Sequence, residues 1–139
     1  MKMKNYKKIR IVLLVFSAII MGHCASSPSK KEAGLNLHEI ANVTNQNLPI
    51  QVDELTVLQR ASVVGENILG YTFSIADNAP KEIFTQQFLD ENIKPQAIES
   101  YRTTPKMEVF RKNNVIIKYI YEDSSGKEFG SFEVDPADF

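Results

Sequence analysis

Residues 113–136 read NNVIIKYIYEDSSGKEFGSFEVDP: a hydrophobic run, a short polar stretch and a second run. Val115 to Tyr121 is dense in β-branched and aromatic side chains, which fit a pleated, half-buried surface. Asp123-Ser124-Ser125-Gly126 supplies turn chemistry, and Gly126 can take the positive φ at which a side chain would clash. Phe129 to Val134 is the return strand, and Asp135-Pro136 ends it because proline has no N–H to donate. The pattern predicts a β-hairpin in which Val115, Ile117, Tyr119 and Tyr121 share one face, opposed by Phe132 and Val134. Both strands are expected to be the central scaffold of the sheet. The other face carries Ile116, Lys118 and Ile120, a stripe that suits a snorkelling surface lysine or a contact with another protein.

Upstream of the hairpin the apolar spacing changes to that of helices. Asp77-Asn78-Ala79-Pro80 reads as a helix start, followed by an apolar face at Ile83, Phe84, Gln87 and Phe88. Lys94-Pro95 is expected to interrupt that helix. A second piece then carries Ala97, Ile98 and Tyr101. A third starts at Thr104-Pro105 and runs through Met107 and Phe110 to an Asn113-Asn114 stop. Before this layer, Gln51 to Val64 suits a strand bent around Gln59-Arg60, and Gly65-Glu66-Asn67 is a turn. Ile68 to Ile75 is a strand with Leu69, Tyr71, Phe73 and Ile75 on one face. Leu37, Ile40, Ala41 and Thr44 give Leu35 to Asn47 one helical face. The predicted architecture is a single small α+β domain over residues 35–139. Its sheet has about four mainly antiparallel strands, in two hairpins, with a broken helical layer on one face.

Chemistry is sparse in this pattern. The histidines are His23 and His38 and the one cysteine is Cys24, so a multi-histidine or thiolate metal site has too few ligands. No Gly-x-Ser-x-Gly elbow accompanies a histidine base. Asp123 to Glu128 lacks the alternating carboxylates of a calcium loop and is explained by the hairpin turn. Asp90, Glu91 and Glu99 read as the solvated face of a helix rather than an acid–base pair. No catalytic residue, metal ligand or cofactor site is expected, and the chain is not expected to be an enzyme.

Charge separates the head from the body. Of the 16 basic residues, Lys2, Lys4, Lys7, Lys8 and Arg10 precede residue 24. None of the 17 acidic residues does, so residues 24–139 carry 11 against 17, a net of −6. A body of that sign repels phosphate backbones and argues against a nucleic-acid partner. Met1 to Arg10 followed by the apolar run Ile11 to Met21 has the order of an export signal, and eleven apolar residues fall short of a spanning helix.

The run ends at Met21-Gly22-His23-Cys24, which resembles the lipobox of bacterial lipoproteins. That resemblance implies a signal peptide over 1–23 and a diacylglyceryl thioether on Cys24. Because Ala25 rather than aspartate follows, it also implies sorting to the outer membrane, facing the periplasm or the cell surface. His23 departs from the small residue usual before the cysteine. An ordinary signal peptide cut nearby and an uncleaved anchor are the other two readings. Residues 24–34, small, polar and charged with no apolar period, read as a flexible tether.

A second resemblance covers Leu48 to Asp138. Leu48-Pro49, Val52-Asp53, Thr56, Tyr71, Tyr119-Ile120-Tyr121, Asp123, Gly126 and Val134-Asp135-Pro136 stand in the order of a family of small exported bacterial proteins. These are described as quorum-sensing-regulated virulence-factor-like. The resemblance implies an α+β fold, export and no known enzymatic role. Arg102 and Phe139 stand where relatives carry cysteines, so a disulfide from helix to hairpin is absent here.

The reading that follows is a lipid-anchored interaction module of the bacterial envelope, with an envelope protein as partner and Ile116, Lys118 and Ile120 as its candidate surface. The alternative is a carrier or sensor of a small apolar ligand held between sheet and helices, lined by Tyr71, Phe73, Tyr119 and Tyr121. A carrier needs a cavity at those aromatics, whereas an interaction module needs a filled core and an exposed apolar patch.

Overall fold

A computed structural model describes residues 35–139, so the signal segment and all of the tether before Leu35 lie outside the described residues. The first helix, α1 (Leu37–Asn45), forms where its period places it. Asn36 caps it by accepting the Glu39 N–H at 3.1 Å, and Leu37, Ala41 and Thr44 bury one face. Thr44 satisfies its buried hydroxyl on the Ile40 carbonyl at 2.7 Å.

The sheet has five strands in chain order: β1 (Ile50–Gln51), β2 (Thr56–Gly65), β3 (Ile68–Ile75), β4 (Ile116–Glu122) and β5 (Glu128–Val134). The expected count of four was short by β1. The segment from Gln51 splits because Asp53 turns the chain. Its carboxylate accepts the Leu55 N–H at 2.8 Å, while the Val52 N–H reaches the Thr56 carbonyl at 3.0 Å. The bend anticipated at Gln59-Arg60 is a register shift between Leu58 and Arg60 against β3.

The pairing also differs from expectation at the middle of the sheet. β3 and β4 are parallel, with Leu69 opposite Ile117, Tyr71 opposite Tyr119 and Phe73 opposite Tyr121. Parallel neighbours cannot be joined by a tight turn and require a crossover, which the helical layer provides. Two hairpins therefore lie side by side with β3 and β4 inside and β5 at the edge. The C-terminal hairpin is central through β4 alone. Its turn is as expected: Asp123 accepts from the Ser125 hydroxyl at 2.6 Å, the Ser125 N–H at 2.9 Å and the Lys127 N–H at 3.1 Å, and Gly126 has φ +89°.

The crossover begins later than its sequence suggests. Asp77 does not cap a helix, because its carboxylate takes the Ser124 hydroxyl of the hairpin turn. The helix starts instead at α2 (Gln86–Phe88), capped by Thr85, whose hydroxyl accepts the Phe88 N–H at 3.2 Å. Nor does Pro95 break it. A π-helical turn over Leu89–Ile93 leads directly into α3 (Lys94–Thr103), with the Lys94 N–H bonded back to the Leu89 carbonyl. Widening that turn relieves the clash between a proline ring and the carbonyl one turn before it. The 3-10 turn Pro105–Met107 and α4 (Glu108–Lys112) complete the layer, and Asn114 leaves it at φ +53°.

Sheet and helices share one core. Leu89, Ile93, Ala97, Tyr101, Met107 and Phe110 from the crossover pack with Leu58, Leu69, Tyr71, Phe73, Ile117 and Tyr119 from the strands. Phe73 stacks on Tyr121 at 5.1 Å and Tyr119 on Phe132 at 4.8 Å between ring centroids. Burial drives the Tyr119 and Tyr121 hydroxyl pKa values well above the ordinary phenolic range. The helical layer packs tightly on β5 at Gly130, where any Cβ would fall 2.7 Å from Leu89 Cδ1. At the C-terminus, where a disulfide was not expected, Phe139 lays its ring edge-on to Tyr101 at 5.8 Å.

Candidate functional site

The alternation of β4 sends Ile117, Tyr119 and Tyr121 into the core and Ile116, Lys118 and Ile120 to the opposite face, where all three are half-buried. The register aligns them with Ile68, Gly70 and Thr72 of β3. Gly70 is the low point of this face: a Cβ built there would lie 3.1 Å from Val64 Cγ1 and 3.6 Å from Ile120 Cδ1. Val64 and Ile120 therefore converge over a glycine, and Val64 is 45% exposed. At one end of the strip Arg60 reaches the nearly buried Glu122 carboxylate at 3.4 Å, so that charge is partnered. Lys118 stands opposite Glu133 of β5 across the strand pair. The geometry is an apolar strip with a cation beside it, a shape suited to contact.

The aromatic set of the carrier reading is placed otherwise. Tyr71, Phe73, Tyr119 and Tyr121 are all buried in the stacked core, and none of them lines either cavity described here. One cavity is a polar groove of about 430 Å³ between Lys94, Lys118, Glu133, Asp135 and Asp138. The other is a smaller recess at the end of the sheet, lined by Ile75, Lys81, Phe84 and Phe129.

The acidic residues are dispersed over the helix surface. Asp90 accepts from Gln86 at 3.0 Å, Glu91 from Gln87 at 2.9 Å, and Glu99 pairs with Arg102 at 2.5 Å. His38 is exposed on α1. Among the described residues no three of His, Cys, Asp and Glu come together as a metal site, and no helix is long and apolar enough to cross a membrane. Cys24 lies outside the described residues.

Two residues that sequence reasoning passed over have defined positions at the sheet edges. The Asn45 side-chain amide donates to the Ala61 carbonyl at 2.8 Å and accepts the Ala61 N–H at 2.7 Å, closing the rim of β2 beyond β1. The Gln86 amide does the same at β5, donating to the Ser131 carbonyl at 2.8 Å and accepting the Ser131 N–H at 2.9 Å. Nothing in the local sequence marks either, since both partners are distant in the chain.

Residues 34–129, more than half of the chain, match the family model described as Domain of unknown function (DUF8479). No curated protein matches the sequence. Among solved structures the chain is similar to a candidate secreted protein of Pseudomonas aeruginosa, with TM-score 0.60, 15% identity and coverage of 71% of this chain and 85% of that one. It is also similar to the pilotin EpsS of the Vibrio vulnificus type 2 secretion system, with TM-score 0.56, 14% identity and coverage of 73% and 86%. A third similar structure is the type II secretion system pilotin AspS of Vibrio cholerae, with TM-score 0.54, 11% identity and coverage of 74% and 88%. At these identities the likeness is one of fold.

Proposed function

We propose, starting from a chain that belongs to the family described as Domain of unknown function (DUF8479), that this protein is a secretion-associated interaction module of the bacterial envelope and carries out no catalysis. The observation that carries the reading is the fold held in common with two type II secretion pilotins over most of both chains. The arrangement of the body supports it: a filled aromatic core, a strip of Val64, Ile116 and Ile120 open on one face, and Lys118 beside it. In this reading Cys24 carries the lipid, residues 24–34 are the tether, and the outer membrane holds the domain near its protein partner. The resemblance to quorum-sensing-regulated virulence-factor-like proteins fits the same exported setting.

Lipidation is the part that a single substitution tests. Cys24→Ser is expected to abolish palmitate labelling and to release the domain from the membrane fraction. A strain lacking the protein, with lowered type II export, should then regain export from the wild type and not from Cys24→Ser. Label persisting in the variant would contradict the anchor. Normal export in the strain lacking the protein would contradict the secretion role.

A further inference from the structure

Edge strands expose a row of backbone donors and acceptors, and β5 is the long edge of this sheet. Backbone groups of successive residues alternate between the two sides of an antiparallel strand. Since Ser131 turns its N–H and carbonyl outward to Gln86, Glu133 turns its own outward as well. Among the described residues nothing pairs with the outward backbone of Glu133. It opens into the polar groove, with Lys94 on the helical side and Lys118 on the other face. At Ser131 a side-chain amide occupies the place of a peptide group, with one donor and one acceptor at strand-like distances. Gln86 is exposed, and its amide nitrogen already has a second acceptor in Asp90 at 3.0 Å. It can leave Ser131 without losing every bond. The start of β5 adjoins the apolar recess of Phe84 and Phe129.

We infer that the β5 edge is a docking site for an extended segment of another polypeptide, which adds as a sixth strand and displaces the Gln86 amide. From Phe129 to Glu133 the strand spans about 13 Å. A segment of about five residues covers it, with an apolar side chain for the recess at one end and a charged one for the groove at the other. This edge would serve the interaction role proposed above, yet peptide binding is read without any export or capture assay. The two therefore fail separately.

The test uses the full chain, isotope-labelled in detergent micelles, and the acetylated, amidated heptapeptide KVTVTVK as a strand-forming probe. Binding should shift the Ser131 and Glu133 amide resonances. Gln86→Ala, with the plug removed, should bind about tenfold tighter, the factor that 1.4 kcal/mol makes. Glu133→Pro removes one outward N–H while sparing the ladder to β4, and should lose the probe while keeping its thermal melt. Unmoved Ser131 and Glu133 amides in the wild type would overturn the inference, whether or not the proline variant folds. So would equal affinity for Gln86→Ala and wild type, or undiminished binding by a folded Glu133→Pro. A wild-type dimer in sedimentation that Gln86→Ala strengthens would put a second copy on the edge in place of a separate partner.

Discussion

Phe73→Ala is expected to lower the unfolding free energy by about 3–5 kcal/mol, which would leave a domain of ordinary stability close to unfolding. The side chain is fully buried at the middle of the sheet, opposite Leu58 on β2 and Tyr121 on β4. Its ring stacks with Tyr121 at 5.1 Å and lies nearly parallel to Tyr119 at 6.1 Å. Truncation removes contacts to both hairpins and leaves a cavity where they meet. Because the parallel β3–β4 pair joins the two halves of the sheet, its loss should cost cooperativity as well as stability. Urea unfolding followed by far-UV circular dichroism measures it. A loss under about 1 kcal/mol, the scale of a tolerant site, would mean that the sheet halves do not meet as described.

The second large effect separates the two faces of β4. Ile117 is fully buried and paired with Val134, so Ile117→Ala should cost about 2–5 kcal/mol through lost burial and a residual cavity. Lys118→Ala, one residue on and half-buried, should cost under about 0.5 kcal/mol. Ile120→Asp gives up a half-buried side chain over Gly70 and should stay folded with a loss of about 1 kcal/mol. Melts of the three variants give the comparison. Equal destabilisation by Ile117→Ala and Lys118→Ala would reverse the assignment of the faces.

How much of this was legible follows from the range of each interaction. The period-two alternation of Val115 to Tyr121 and of Leu69 to Ile75 specified which side chains enter the core, and the cross-strand pairs Ile117–Val134 and Tyr119–Phe132 follow from the hairpin. The α1 face was equally local. The parallel pairing of β3 with β4 was not, because the same two hairpins and helices could also pack antiparallel through other edges. The helix start was misplaced because Asp77 is recruited by Ser124, 47 residues away, a partner that the local capping pattern does not show. Pro95 looked like a break because a π-helical turn that accommodates it has no sequence signature of its own. For the candidate surface, Ile116, Lys118 and Ile120 were readable from alternation, whereas Val64 joins them only through the β2–β3 register. Gln86 and Asn45 owe their roles wholly to tertiary placement.

In the proposed role the outer sheet face meets a component of a secretion machine, and cross-linking in the native membrane reads that contact. The full chain would carry a photo-reactive amino acid in place of Ile120, with a matched control in which it replaces the exposed His38 on α1. Irradiation should join the Ile120 variant to a component of the type II secretion apparatus, and Lys118→Ala in the same chain should weaken that adduct. An Ile120 variant that is membrane-bound and folded yet yields no such adduct, or yields it no better than the His38 control, would rule out docking through this face.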